Sequence, residues 1–125
     1  MNKTPKSYKD LIFWQKSFKT ATLVINLSRK LPRTIENRII LNQLLRSVMS
    51  IGANIAEGYG RYGTKEFSRY LQISLGSANE TEYWLLLLKE ANPKHQEEID
   101  KVKELNIESI KMLAKSIQTL KNKIK

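Results

Sequence analysis

The chain has 125 residues, which is enough for one domain that buries a hydrophobic core, and it contains no cysteine. The lack of cysteine excludes disulfides, thiolate metal sites and cysteine nucleophiles, and it fits a reducing compartment. The 22 basic residues outnumber the 12 acidic ones, and the resulting net charge of +10 favours anionic partners. We expect a cytoplasmic protein without a membrane, because neither a signal peptide nor a span of roughly 20 apolar residues is evident.

The first predicted helix covers about residues 8–31. Ser7 and Asp10 have the spacing of a capping box at its start, and Pro32 disfavours helical backbone in the residue before it. Apolar residues recur along it at steps of three and four, which predicts one buried side. That stripe consists of Leu11, Trp14, Phe18, Ala21, Thr22 and Ile25.

The second predicted helix covers about residues 35–60, with Thr34 as its N-cap. It has an apolar side and a second, narrow polar side, which consists of Gln43, Ser47, Ser50, Asn54, Glu57 and Arg61. Gly52, Gly58 and Gly60 have no side chains, so another group can come close to the helix backbone there. A glycine inside a helix costs about 0.5–1 kcal/mol relative to alanine. The backbone of a neighbouring helix is favoured over a ligand phosphate as the group that approaches these glycines.

The third predicted helix covers about residues 65–91, with Thr64 as its candidate cap. It is apolar on nearly all sides, which is typical of a buried helix. Because only two helices of its own chain would flank it, we expect a homo-oligomer in which another copy covers the rest. The predicted interface residues are Ile73, Tyr83, Trp84 and Leu87. The alternative is a misjudged face, with Tyr83 and Trp84 at the rim.

The fourth predicted helix covers about residues 94–124 and begins after Asn92 and Pro93. Its apolar residues follow steps of three and four, and Asn106 is the one polar residue in this seam, where it is expected to fix the register. Four helices joined by short turns predict a single all-α domain, an antiparallel up-down-up-down four-helix bundle.

The positive charge is concentrated at the two ends of the chain. Residues 1–33 contain eight basic residues and one acidic one, and the stretch from Lys111 onward has five lysines and no acidic residue. If the first and last helices are neighbours, their lysines add up to one positive surface. The predicted phosphate contacts are Lys16, Lys19, Lys30, Arg33, Lys111, Lys115, Lys121 and Lys123.

The sequence offers little catalytic chemistry. His95 is the only histidine and has no Glu-x-x-His partner, so we expect no metal and no cofactor. Glu57 and Glu80 have two interpretations. An ion-pair network with Arg61 and Arg69 across helices two and three is favoured over a pair of catalytic carboxylates. An enzyme that uses these two glutamates is the third hypothesis for function.

Three segments carry a family resemblance: DLIFWQKS, SIGANIAEGYGR and KEFSRYLQISLGSANETEYWL. The chain resembles the bacterial four-helix bundle proteins that are often encoded by intervening sequences within large-subunit ribosomal RNA genes. That family is related to the accessory variability determinant of diversity-generating retroelements. Its signature polar residues fall on Ser50, Asn54, Glu57, Arg61, Ser77 and Glu80. This sequence departs from the family at Gly52, where proline is usual, and at Ser47 and Ser74, where alanine is common.

The resemblance implies a ring-shaped homo-oligomer, typically a pentamer, with a positive surface that binds nucleic acid. It also implies that a reverse transcriptase is a partner of the retroelement relatives. We therefore expect a non-enzymatic oligomeric bundle that binds nucleic acid, RNA in preference to DNA, with the Ser50, Asn54, Glu57, Arg61, Arg69, Ser77 and Glu80 group as architecture. The alternative is a protein-binding scaffold or accessory factor without a nucleic-acid function of its own.

Overall fold

The computed structural model describes residues 5–124, which form four long α-helices. They are α1 (Ile12–Lys30), α2 (Ile35–Tyr59), α3 (Thr64–Ala91) and α4 (Gln96–Ile124). Short 3₁₀ turns, Tyr8–Asp10 and Pro93–His95, precede α1 and α4. Residues 5–124 contain no β-strand, so the predicted all-α class with four helices is confirmed.

The start of the first helical region combines a confirmed feature with a difference. The capping box is present, because Ser7 Oγ accepts a hydrogen bond from the Lys9 amide and Asp10 Oδ2 accepts one from the Ser7 amide. The turn that it caps is a 3₁₀ turn, and extended backbone at Leu11 separates this turn from α1. At the other end, Leu31 is also extended, as expected for a residue that precedes proline.

The N-cap of α2 is the predicted residue, and the N-cap of α3 is not. Thr34 Oγ1 accepts a hydrogen bond from the Asn37 amide at 3.1 Å, which confirms Thr34 as the N-cap of α2. The prediction for Thr64 is wrong, because Thr64 is already helical and Gly63 is the N-cap of α3. Gly63 has φ +93°, a backbone conformation that favours glycine, so the helix begins one residue earlier than the cap chemistry indicated.

The four helices enclose one hydrophobic core. Each helix packs on two others: α1 on α2, α2 on α3, α3 on α4, and α4 on α1. Fully buried side chains come from all four helices, and they include Val24, Leu44, Val48, Ile51, Ile55, Leu71, Leu85, Leu88, Ile99 and Leu113. The predicted buried stripe of α1 is wrong: Phe18 is 55% exposed, and the buried side consists of Phe13, Ser17, Thr20, Val24 and Leu27. Ser17 and Thr20 obscure this side in the sequence because they are polar, but their hydroxyls donate to backbone carbonyls of α1. By length and composition α2 would suffice to cross a membrane, but the same test is passed by the core helix of a folded domain.

Two of the glycines in α2 are approached by neighbouring helices, although side chains and not the predicted helix backbone make the approach. A methyl group added at Gly58 would overlap Cβ of Tyr70 in α3 and come within 3.0 Å of its Cγ. At Gly52 the same group would lie 3.3 Å from Trp14 Nε1 in α1. Gly60 meets only backbone oxygens of its own chain segment, so the explanation by helix packing does not extend to it.

The core also contains polar side chains. Asn106 is fully buried in the α4 seam, where its Nδ2 donates to the Ala78 carbonyl oxygen at 2.9 Å. Its Oδ1, together with Ser109 Oγ, has no hydrogen-bond partner among residues 5–124. Asn106 therefore joins α4 to α3 while leaving one buried acceptor unpaired.

Candidate functional site

The predicted cations on α1 are partly paired with acidic residues of α4. Lys16 Nζ lies 2.7 Å from Glu108 Oε1, and Lys30 Nζ lies 3.4 Å from Glu98 Oε2. Lys19 is exposed and makes no ion pair in the described range. The junction of α1 and α4 thus carries alternating charges instead of a continuous positive surface.

The same two ion pairs show how far apart the predicted cations are. Glu98, beside Lys30, precedes Lys121 by 23 positions in the continuous helix α4. At 1.5 Å per residue this separation is about 35 Å. Lys30 and Arg33 therefore lie near one end of the molecule, and Lys121 and Lys123 lie near the other. The structure does not bring the eight predicted phosphate contacts into one surface.

The C-terminal part of α4 retains a clear positive character. Lys111, Lys115, Lys121 and Lys123 are all exposed, and none of them makes an ion pair within the described chain. No acidic residue follows Glu108 in the sequence. Because Lys16 contacts Glu108, the beginning of α1 lies beside this part of α4. We call these four lysines the α4 lysine cluster.

A ladder of small polar side chains joins α2 to α3. The Ser50 hydroxyl donates to Ser77 Oγ at 2.7 Å, and Ser47 Oγ lies 2.9 Å from Thr81 Oγ1. Ser74 Oγ donates to the Ile51 carbonyl oxygen at 2.9 Å. Ser50 and Ser77 of the predicted polar group are therefore in contact across the two helices. Asn54 bonds back along its own helix, because its Nδ2 donates to the Ser50 carbonyl oxygen at 2.8 Å.

The charged members of that group form separate local pairs. Arg61, just after the end of α2, pairs with Glu57 at 2.8 Å, and Arg69 pairs with Glu66 within α3 at 3.3 Å. The hydrogen bond and charge of Glu66 raise the pKa of the Arg69 guanidinium. Glu80 pairs with Arg46 of α2. The Glu57–Arg61 pair of the expected network is present, but the single network across the two helices is wrong for the described residues, because Glu80 pairs with Arg46 and Arg69 pairs with Glu66.

Tyr70 and Trp84 connect these pairs to the helix junction, and neither connection was predicted. The guanidinium carbon atoms of Arg61 and Arg69 lie 5.3 and 4.7 Å from the centre of the Tyr70 ring, a cation–π arrangement. Glu80 Oε2 accepts a hydrogen bond from Trp84 Nε1 at 2.9 Å in addition to its pair with Arg46. The arrangement is suited to holding α2 against α3.

A buried amide pair was also missed by the sequence analysis. Asn37 Nδ2 donates to Asn92 Oδ1, and Asn92 Nδ2 donates to Asn37 Oδ1, both at 2.8 Å. The two residues are 55 positions apart, at the start of α2 and the end of α3. The turn chemistry of Asn92 and Pro93 was visible in the sequence, but no local spacing signals its partner.

The apolar residues predicted at an oligomer interface differ in exposure. Ile73 is 41% exposed and Tyr83 is 53% exposed, whereas Trp84 and Leu87 are half-buried and pack against the core. Leu86, which was not singled out, is 44% exposed. Residues 5–124 contain no group of three or more His, Cys, Asp or Glu side chains that could hold a metal ion.

The helices and contacts described above define an all-α protein of four long helices packed around one core. The chain matches the family model of the 23S rRNA-intervening sequence protein over residues 9–115, and it belongs to that family. It is also similar to a crystal structure from Bacteroides thetaiotaomicron, described as a protein with unknown function from the S23 ribosomal protein family. The identity is 34%, the match covers 85% of this chain and 98% of that one, and the TM-score is 0.77. The comparison with curated proteins finds no match.

Proposed function

We propose that this protein is a non-enzymatic, homo-oligomeric four-helix bundle that binds nucleic acid through its phosphates, RNA in preference to DNA. The observation that carries the proposal is the α4 lysine cluster, four exposed lysines that make no ion pair with residues 5–124, in a stretch that lacks acidic residues. A net charge of +10 adds a long-range attraction for phosphate. The proposal includes a cytoplasmic location without a membrane, and no metal or cofactor.

The proposed topology is up-down-up-down, with neighbouring helices antiparallel. Its support is the order of the contacts between helices. As residue numbers rise in α2 from Ser47 to Ser50, their partners in α3 fall from Thr81 to Ser77. Between α1 and α4 the contact partner likewise falls from Glu108, beside Lys16, to a residue ten positions earlier at Lys30.

The proposed oligomer is a closed ring, and the family resemblance favours a pentamer. Exposed Ile73, Tyr83 and Leu86 on α3 support an oligomer, because exposed apolar surface is commonly covered by a partner. A ring repeats each lysine cluster around one axis, so several weak phosphate contacts would act on the same nucleic acid. The oligomer is tested by measuring the mass in solution by light scattering. A value near 14.5 kDa, the mass of one chain, at micromolar concentration would refute the oligomer.

The nucleic-acid proposal is tested by fluorescence anisotropy with labelled single-stranded RNA and with DNA of the same sequence. We expect affinity to fall by orders of magnitude between about 50 and 200 mM salt. Replacing Lys115, Lys121 and Lys123 together by Gln should reduce the slope of log affinity against log salt by about 2. Lys16→Gln is the matched control, because Lys16 is already paired with Glu108 and should contribute little.

Two results would refute this function. One is the absence of binding to either nucleic acid at about 50 mM salt. The other is an equal loss of affinity in the triple variant and in the Lys16→Gln control. The alternative is a protein-binding scaffold or accessory factor, for which a reverse transcriptase is the candidate partner because of the proposed retroelement relationship. An apolar protein interface would respond weakly to salt, so the same titration separates the two functions.

A further inference from the structure

A concave surface follows the junction of α1 and α2, and we call it the α1–α2 groove. It consists of two concavities that lie end to end along the helices. One, of about 520 Å³, lies at the α1–α2 turn over Leu41 and Leu45. The other, of about 420 Å³, lies closer to the start of α1, between Phe18 and Met49. The groove thus extends along much of α1 and α2.

The groove has the composition of a protein interface. The residues that line its two described concavities include no lysine, aspartate or glutamate, but they include Arg29, Arg33 and Arg38. None of these arginines takes part in an ion pair within residues 5–124. Protein interfaces are enriched in arginine, methionine and aromatic residues and depleted in lysine and acidic residues. The groove therefore fits a protein surface that is apolar with an acidic group: its apolar floor would contact the apolar part, and its arginines would pair with the acidic one.

The outer side of α3 has these complementary properties. Tyr83, Leu86 and Glu90 are spaced three and four residues apart, so they share one side of the helix, which we call the α3 ridge. Tyr83 and Leu86 are exposed, and Glu90 is exposed without an ion pair in the described chain. The neighbouring Lys89 does not pair with Glu90, because its Nζ lies 2.9 Å from Asp100 Oδ1. The ridge is therefore apolar with an acidic end.

The contacts between α2 and α3 place the groove and the ridge at the same height along the molecule. Asn37 bonds to Asn92 and Ser47 bonds to Thr81, and between these two points the helices run side by side. Arg38 in the groove therefore lies level with Glu90 in the ridge, and the floor near Leu45 lies level with Tyr83. A rotation about an axis parallel to the helices preserves these heights.

We propose that the α1–α2 groove of one copy receives the α3 ridge of the next copy. In this head-to-tail contact Glu90 of one copy faces Arg38 of its neighbour, and Tyr83 and Leu86 cover the apolar floor. The inference rests on the proposed homo-oligomer and adds the two surfaces that join. Because the groove and the ridge lie on different sides of the bundle, each copy can contact two neighbours. Repetition of the contact gives a closed ring if the rotation from one copy to the next divides evenly into a full turn.

The first experiment measures mass by light scattering for variants at exposed positions. Asn42→Arg alters the part of the groove that lies level with the ridge, and Leu86→Arg alters the ridge; both side chains are exposed in the single chain, so both variants should fold. Ile12→Arg is the matched control, because Ile12 is 53% exposed but lines neither surface. We expect each of the first two variants to have the mass of one chain and the control to retain the wild-type mass.

Mixing the two variants tests the pairing itself. Each variant keeps one intact surface, so an equimolar mixture should form a species of two chains and no larger one. If both variants keep the wild-type mass with an unchanged helical circular dichroism spectrum, the inference is wrong while the oligomer stands. If the folded variants fail to form the two-chain species when mixed, the pairing of these surfaces is likewise wrong. A wild-type protein that is monomeric refutes the proposed oligomer instead.

A charge exchange between Arg38 and Glu90 gives a second test, which uses different variants from the mass measurement. Arg38→Glu and Glu90→Arg should each raise the concentration for half-dissociation about tenfold, because each places like charges together. The double variant should return to within about threefold of the wild type. If the effects of the two changes simply add in the double variant, Arg38 and Glu90 do not face each other.

Discussion

Gly58 is the position where a single methyl group should do most damage to the junction of α2 and α3. In Gly58→Ala the new Cβ overlaps Cβ of Tyr70, so α3 or the Tyr70 backbone must move away. Overpacking of this kind costs about 1–3 kcal/mol, occasionally more. Alanine also has a better helix propensity than glycine, which returns about 0.5–1 kcal/mol. Because the overlapped Cβ is fixed to the backbone of α3, the cost should lie in the upper part of that range, about 2–3 kcal/mol, and we expect a net loss of about 1–2.5 kcal/mol in the free energy of unfolding.

Gly76→Ala is the matched control on α3. A Cβ at Gly76 meets no atom within 4 Å, so only the gain in helix propensity of about 0.5–1 kcal/mol remains. Urea unfolding followed by circular dichroism at 222 nm measures both variants, under conditions in which they have the same mass by light scattering. The reasoning is refuted if Gly58→Ala is as stable as the wild type, or if the two variants shift the urea midpoint equally.

Three further predictions concern polar side chains, and all are measured by urea unfolding. Asn37→Ala should cost about 2–3 kcal/mol, because it leaves the buried Asn92 amide without its reciprocal partner; a loss below about 1 kcal/mol would contradict this. Glu57→Ala should cost only about 0.2–0.5 kcal/mol, since its pair with Arg61 is an exposed i,i+4 pair. A loss of about 2–4 kcal/mol would instead indicate the buried network that the sequence suggested. Asn106→Leu should leave stability unchanged or raise it by about 1 kcal/mol, as it removes an unpaired buried acceptor, and a clear loss would show that the bond to Ala78 matters more.

The charged residues show why the site was harder to predict than the fold. The positions of Lys16 and Lys30 on one side of α1 follow from helical geometry and are visible in the sequence. Whether those lysines are free depends on Glu108 and Glu98, which are 92 and 68 residues away. Similarly, Glu80 takes Arg46 as its partner instead of Arg61 or Arg69, because the relative height of α2 and α3 brings Arg46 to it.

Local chemistry was sufficient for the number of helices and most of their ends. The steps of three and four residues, the capping box at Ser7, the N-cap Thr34 and the break at Pro32 all act between residues close in sequence. Such interactions depend only on the backbone of one segment, so they can be recognised before the segments are assembled. The same local rules gave the buried stripes of α3 and α4, but they chose the wrong side of α1, because the polar residues Ser17 and Thr20 interrupt its buried stripe.

The tertiary structure decided which side chains meet across helices. The Asn37–Asn92 amide pair, the overlap of Gly58 with Tyr70 and the separation of Lys30 from Lys121 all depend on how far each helix is displaced along its neighbour. A displacement by one turn, about 5.4 Å, would leave every apolar stripe facing the core but would change every one of these partners. For that reason the pattern of one sequence determines the helices, and only their packing determines the contacts between them.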